Sequence, residues 1–133
     1  MDKRFYTYSF EKLEVWQEAR TLKKLLYKIT QDFPREEIFG LTSQIRRSAA
    51  SITANLAEGA GRASDKDKAY FTNIAYSSAL EIIDHTVTSF DLEYITEAVY
   101  VEIRQKLDVI INKLNSLYKH HYKRGKNLKD LDL

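Results

Sequence analysis

Cysteine is absent from the 133 residues, and the chain has only one proline and four glycines. Without cysteine there is no disulfide, thiol nucleophile or thiolate metal ligand. Because proline and glycine interrupt helices and mark turns, their scarcity argues against a turn-rich β-protein and favours long helices. No segment has the uninterrupted apolar length that spans a membrane, and residues 1–10 lack the apolar core of a secretory signal. We therefore expect one cytoplasmic domain with no membrane segment.

The net charge of +2 is too small to indicate a polyanion-binding protein by itself. Its distribution is uneven, because residues 65–97 hold seven acidic residues and two lysines, a net charge of −5, while the rest of the chain carries +7. This separation predicts electrostatic pairing within the fold or between subunits as readily as it predicts an outside partner.

Apolar residues that recur every three or four positions predict four helices, at about residues 11–31, 35 or 38 to 58, 65–90 and 96–121. Ser9 and the Ser64–Asp67 segment are predicted to cap the first and third helices, and Gly59 to follow the second in a left-handed conformation. Short connections make neighbouring helices antiparallel, so the sequence predicts an all-α, antiparallel up-down four-helix bundle. We expect an N-terminal extension at residues 1–9, the bundle at residues 10–121 and a polar tail at residues 122–133.

The second predicted helix has a polar line beside its apolar line. It consists of Gln44, Arg47, Ser51, Asn55 and Glu58. Alanines lie beyond it, and small residues let another backbone approach, so we expect a buried or half-buried hydrogen-bond seam. A buried guanidinium needs a carboxylate, and antiparallel alignment predicts an ion pair between Arg47 and Glu81. We assign a structural polar network to Gln44, Arg47, Asn55, Glu58 and Glu81.

The third predicted helix has two apolar lines, which is one more than a single core requires. The first line holds Phe71, Ala75, Ser78 and Ile82. The second line holds Tyr76, Leu80, Ile83, Val87 and Phe90. A monomer would have to expose the second line. We therefore expect it to form the interface of a homo-oligomer.

Cations suited to phosphate contact occur in two parts of the sequence. Arg46 points away from the apolar line of the second helix, and Arg62 lies in a glycine-flanked turn. Residues 118–126 interleave cations with two tyrosines, which can bind phosphates while stacking bases, although a solvated helix end has a similar composition. The candidates for nucleic-acid contact are Arg46, Arg62, Lys66, Lys119, Lys123, Arg124 and Lys126.

The polar line of the second helix has a simpler interpretation, in which it only fixes the register between helices.

No arrangement typical of catalysis or of cofactor binding is recognisable in the sequence. His120 and His121 are adjacent in a helix and point about 100° apart, so they cannot chelate one metal together. Glu81 and His85 have the spacing of a metal pair but no evident third ligand. No arginine is followed four to six residues later by a histidine, the pairing that ribonucleases on other four-helix bundles use. We expect a non-enzymatic protein without cofactor or metal. An RNA-processing enzyme remains an alternative.

Motifs distributed over the chain match the pattern of a known family. They are LEVWQ at 13–17, Phe33-Pro34, QIRRSAASI at 44–52, NLAEG at 55–59, Gly61-Arg62, and Ala75 with Ser78 and Glu81. Together they resemble the four-helix bundle proteins encoded in intervening sequences of bacterial 23S ribosomal RNA genes. The resemblance implies a homopentameric ring that binds RNA or DNA. Accessory proteins of diversity-generating retroelements look related and imply a reverse transcriptase as partner. A protein-binding adaptor that docks on the second apolar line is the alternative.

Overall fold

A computed structural model of the protein describes residues 2–125, with side chains as far as Lys123. The four α-helices are α1 Glu14–Thr30, α2 Leu41–Ala60, α3 Asp65–Asp91 and α4 Glu97–Gly125. Short 3-10 helices at Ser9–Lys12 and Arg35–Glu37 precede α1 and α2, and no strand occurs among residues 2–125. Each helix packs against the one before it, and α1 also contacts α4. The predicted antiparallel up-down bundle is confirmed.

The core is formed by apolar side chains that every helix directs to the bundle axis. Leu22, Ile52, Ile82 and Leu107 are at most 1% exposed, and each comes from a different helix. Burial of one such side chain stabilises the fold by about 1.5–3 kcal/mol. The three- and four-residue spacing of these residues places them on one face of each helix, and the bundle closes around that face.

The buried line of α3 consists of small residues apart from Ile82, and it differs from the predicted line. It contains Thr72, Ala75, Ala79, Ile82, Thr86 and Ser89. Phe71 and Ser78, which were predicted to lie in it, are half-buried instead. The hydroxyl groups of Thr72 and Thr86 donate to the carbonyl oxygens four residues earlier, at 3.0 and 2.7 Å. A threonine satisfied in this way by its own helix packs as a small side chain in the core.

Gly59 lies inside α2, and the predicted left-handed conformation is wrong. The helix continues to Ala60, and no glycine among the described residues has a positive φ. Gly59 is buried, and a Cβ atom at this position would lie 2.9 Å from Cβ of Phe71 on α3. The close approach of α3 therefore requires glycine here.

The helix ends agree with the prediction in some places and not in others. The hydroxyl of Ser64 accepts a hydrogen bond of 3.1 Å from the backbone N–H of Asp67, which is the predicted cap of α3. Ser9 does not cap α1, because it opens a 3-10 helix and α1 begins at Glu14. The end of α4 lies beyond the predicted position, and residues 126–133 of the predicted tail lie outside the described residues. In residues 2–125, no helix has the length and apolar character to cross a bilayer.

Candidate nucleic-acid interface

Three segments that are distant in sequence meet at one end of the bundle. They are the N-terminal segment before α1, the turn between α2 and α3, and the last turns of α4. A cavity of about 290 Å³ lies between them, and its walls include Ser9, Ala60, Lys68, His120 and His121. We call this part of the molecule the basic end and define it by Lys12, Arg62, Lys66, Lys119 and Lys123. The up-down topology thus collects most of the predicted phosphate-contact residues in one place.

The opposite end of the bundle is acidic. It is formed by the connections between α1 and α2 and between α3 and α4. Across residues 31–40 and 91–97 the only cation is Arg35, whereas the carboxylates are Asp32, Glu36, Glu37, Asp91, Glu93 and Glu97. We call these six residues the acidic end. Charge is therefore separated along the bundle axis, which the linear sequence showed only as one acidic block.

The cations of the basic end are mostly available to solvent. Lys66, Lys119 and Lys123 are exposed and form no ion pair within the described part of the chain. No side-chain ion pair therefore holds these three ammonium groups in place, although Asp65 and Asp67 flank Lys66 in the sequence. The side chain of Arg124 and all of Lys126, two further predicted contacts, lie outside the described residues.

Arg62 has internal contacts as well as exposure. Its guanidinium carbon lies 4.6 Å from the ring centroid of Phe71, and its Nη2 lies 3.5 Å from a carboxylate oxygen of Glu58. A solvent-exposed pair of this kind contributes little to stability. The ring contact holds one face of the guanidinium against α3, and the Arg62 side chain stays 45% exposed.

His121 and Lys68 line the cavity of the basic end. Burial is the main cause that lowers the pKa of His121, with a smaller effect from His120, and Asp65 partly opposes the shift. The imidazole is therefore neutral near pH 7. Lys68 Nζ donates a 3.0 Å hydrogen bond to the carbonyl oxygen of Ala60 at the end of α2. No group of three or more His, Cys, Asp or Glu side chains that could bind a metal occurs within the described residues.

Arg46 lies away from the basic end and joins α2 to α1. Its Nε donates to Oγ1 of Thr30 at 2.9 Å, and its Nη2 donates to the carbonyl oxygen of Tyr27 at 3.2 Å. Its guanidinium carbon also lies 4.9 Å from the ring centroid of Tyr27. The prediction that Arg46 contacts phosphate conflicts with these bonds, because they commit the side chain to helix packing.

The predicted ion pair between Arg47 and Glu81 does not form among the described residues. Ser48 donates a hydrogen bond to the Glu81 carboxylate instead, and Arg47 bonds to Gln44 on its own helix. Successive helix residues point about 100° apart, so Ser48 faces α3 while Arg47 points to solvent. The bond from Ser48 is the main cause of the lowered pKa of Glu81, with smaller effects from His85 and Arg47.

The rest of the predicted polar network consists of small local groups. Nδ2 of Asn55 donates to the carbonyl oxygen of Ser51 at 2.8 Å and to its hydroxyl at 3.0 Å. The hydroxyl oxygens of Ser51 and Ser78 lie 2.8 Å apart and connect α2 to α3. Glu58 is exposed, and within residues 2–125 its carboxylate reaches only Arg62. The polar line is therefore half-buried in its middle and open to solvent at its end, not one continuous seam.

The predicted oligomer interface on α3 is partly covered by α4 of the same protomer. Three of its members are half-buried: Tyr76, Ile83 and Val87. The ring of Phe90 stacks on Tyr100 of α4 with 4.7 Å between centroids. Leu80 is 45% exposed and Phe90 is 38% exposed. The apolar surface left for another copy is therefore smaller than the sequence predicted.

The N-terminal segment contains an arrangement of aromatic rings that was not predicted. A row of aromatic rings, which we call the aromatic ladder, consists of Tyr6, Tyr8, Phe10 and Trp16. Successive ring centroids lie 4.9, 6.4 and 5.2 Å apart. The alternation of aromatic residues at positions 6, 8 and 10 is the sequence feature that could have identified it.

Comparison with known proteins agrees with the resemblance that the motifs predict. Among solved structures, the chain is similar to a protein of unknown function from the S23 ribosomal protein family of Bacteroides thetaiotaomicron VPI-5482. The two share 28% sequence identity with a TM-score of 0.71, over 79% of this chain and 98% of that chain. No curated protein matches the chain. Residues 11–116, which include most of the bundle, match the model of the 23S rRNA-intervening sequence protein family. The chain belongs to this family.

Proposed function

We propose that the protein is a non-enzymatic scaffold that binds RNA or DNA through the basic end. The observation that carries this proposal is the convergence of cations from three distant segments on one end of the bundle. Phosphate contacts from lysine and arginine supply most of the affinity of proteins for nucleic acid and orient the protein on it. The exposed ammonium groups of Lys66, Lys119 and Lys123 are suited to that task.

Several carboxylates at the basic end already have partners, so they compete less with a phosphate for the exposed lysines. Glu11 accepts a 2.8 Å hydrogen bond from the backbone N–H of Tyr8. Glu14 contacts Lys113 on α4, and Glu58 lies near Arg62. The remaining positive field attracts a phosphate backbone, while the acidic end repels it.

The scaffold also self-associates in this proposal, as the family resemblance implies for a ring. Leu80 and Phe90 supply exposed apolar surface on α3, and the same helix has carboxylates and no cation between residues 69 and 91. In a closed ring with more than two copies, the interface is heterologous, so this face meets a different surface of the next copy. A basic surface on that copy would complement the carboxylates.

The test uses fluorescence anisotropy of labelled RNA and DNA at two salt concentrations, with the oligomer mass measured by sedimentation. The triple variant Lys66→Glu, Lys119→Glu, Lys123→Glu should weaken binding by tenfold or more and reduce the salt slope by about one per lysine. The matched control reverses the exposed cations Lys28 and Arg35, which lie near the acidic end, and should have a small effect. Binding that is indifferent to salt, or equally weakened by the control, would contradict the proposal.

A protein-binding adaptor, for example an accessory to a reverse transcriptase, is the second candidate. The exposure of Leu80 favours it, because an apolar side chain in solvent can contact a partner of another kind. This function requires the α3 line to remain accessible in the oligomer. The variant Leu80→Asp would then leave the oligomer mass unchanged, whereas it should lower that mass if the line joins copies.

A further inference from the structure

The aromatic ladder exposes rings that folding would ordinarily bury. Tyr6 and Tyr8 are 73% and 60% exposed, and the neighbouring Phe5 is also exposed. The backbone at Tyr8 is held by the bond from its N–H to Glu11 and by a 2.9 Å bond from Nε2 of Gln17 to the Glu11 carbonyl oxygen. The part of the ladder from Tyr8 to Trp16 is thus anchored, which reduces the entropy that a ligand must overcome on binding.

Cations accompany the ladder, and the Glu11 carboxylate at its base already accepts the hydrogen bond from Tyr8 N–H. The guanidinium carbon of Arg20 lies 5.6 Å from the ring centroid of Trp16, and Lys12 is exposed beside the ladder. Glu14 and Glu18 turn to the other side of α1, where Lys113 contacts both. The ladder therefore combines stacking surface with positive charge, which is the composition of surfaces that bind single-stranded nucleic acid.

We propose that the aromatic ladder is a base-stacking platform for single-stranded nucleic acid, with Lys12 and Arg20 contacting its phosphates. This inference rests on the proposed function and names the class of ligand that the protein prefers, which is single-stranded nucleic acid. Unpaired bases offer their ring faces to aromatic side chains, whereas bases stacked in a duplex do not. A protein partner would have to bury the tyrosine hydroxyls and both cations with matching acceptors. A single strand supplies bases and phosphates together.

The experiment compares the full-length protein with the double variant Tyr6→Ala, Tyr8→Ala. The probes are a labelled single strand of about 12 nucleotides, as RNA and as DNA, and the duplex of the same sequence. Loss of two stacking contacts should weaken single-strand binding by about tenfold or more at an unchanged salt slope, because stacking releases no counterions. Duplex binding should not change. The variant Tyr6→Phe, Tyr8→Phe keeps the rings and should bind as the unchanged protein does.

Controls separate this inference from the proposed function. Tyr70→Ala removes an exposed tyrosine of α3 outside the ladder and should leave binding unchanged. If the double alanine variant binds single strands normally while the basic-end variant does not, the ladder proposal is overturned and the proposed function stands. The ladder proposal is also overturned if the double variant loses as much affinity for the duplex as for the single strand, or if its oligomer mass is smaller. If the unchanged protein binds none of the probes, both proposals fail.

Discussion

Ser48 of α2 donates its hydroxyl hydrogen bond to the carboxylate of Glu81 on α3. Ser48 is 3% exposed, whereas the Glu81 side chain is 45% exposed. The contact therefore fixes one carboxylate oxygen at the helix interface, 3.3 Å from Nε2 of His85, and leaves the rest of the group hydrated. A neutral hydroxyl connects the two helices at the position where the sequence predicted a charged pair.

Replacing Ser48 with alanine should lower the free energy of unfolding by about 1 kcal/mol, because Glu81 loses its interhelical donor. Urea denaturation at neutral pH measures the effect. The control is Arg47→Ala, which truncates an exposed side chain and should change stability by no more than about 0.5 kcal/mol. An equal loss in the two variants would mean that Arg47 supports Glu81 directly after all.

The stability contribution of Glu81 should depend on pH. The bond from Ser48, then His85 and Arg47, holds the pKa of Glu81 below its usual value of 4.5. The unfolded state then takes up the proton more readily, so the stabilisation is present above pH 4.5 and disappears as the pH falls through the folded pKa. Glu81→Gln should reduce the acid-dependent loss of unfolding free energy in this range. An unchanged acid profile would show that the ionised group contributes nothing.

Gly59→Ala should destabilise the protein by about 1–3 kcal/mol even though alanine favours helices. The added Cβ would lie 2.9 Å from Cβ of Phe71, so α2 and α3 must move apart. Gly61→Ala is the matched control, because its nearest neighbour is the Glu58 carbonyl oxygen at 3.5 Å and its φ is −86°. Thermal unfolding compares the two variants. Equal melting temperatures would show that the interface tolerates the methyl group.

Arg46→Ala should lower the free energy of unfolding by about 1–3 kcal/mol, because it removes two charge-assisted hydrogen bonds between α1 and α2. Arg46→Lys should recover little of this loss, since an ammonium group cannot reproduce the planar geometry that reaches Thr30 and Tyr27 together. Chemical denaturation of both variants checks the prediction. Full recovery by lysine would show that charge alone matters at this position.

His121 should make the protein less stable in mild acid. It faces Asp65 and Lys68 of α3, and burial holds its pKa below 6.5. As the pH falls below 6.5, the unfolded state binds the proton first, so stability decreases until the folded pKa is reached. His121→Gln should flatten the unfolding free energy between about pH 5 and pH 7. His120→Gln removes only the smaller of the two effects that lower the pKa of His121, so it should flatten the slope only in part. If the unfolding free energy of His121→Gln depends on pH as steeply as that of the unchanged protein, His121 is not the group responsible.

The helices and their antiparallel order could be predicted because large apolar residues such as Leu107 and Ile52 repeat with helical spacing. The core line of α3 could not, because Thr72 and Thr86 look polar in sequence and lose that polarity only when their hydroxyl groups bond to the helix backbone. The same limit applies to interhelical contacts. A helical wheel resolves which line of α2 meets α3, but not whether Ser48 or the adjacent Arg47 reaches Glu81.

The candidate site was predictable in part. The sequence named Arg62 and Lys66 in one segment and Lys119 and Lys123 in another, but only the folded topology brings the segments to the same end of the bundle. The aromatic ladder was not predicted, because alternating aromatics at positions 6, 8 and 10 do not show by themselves that the rings meet, and the contact between Phe10 and Trp16 depends on the path of the intervening 3-10 helix.

The separation of carboxylates and lysines between the two ends makes the protomer an electric dipole along its long axis. A polyanion at a distance exerts a torque on such a particle and turns the lysine-rich end toward itself before contact. At physiological ionic strength this alignment acts over roughly one Debye length, about 8 Å. Collisions with a nucleic acid would therefore be biased toward one orientation, and added salt would weaken that bias.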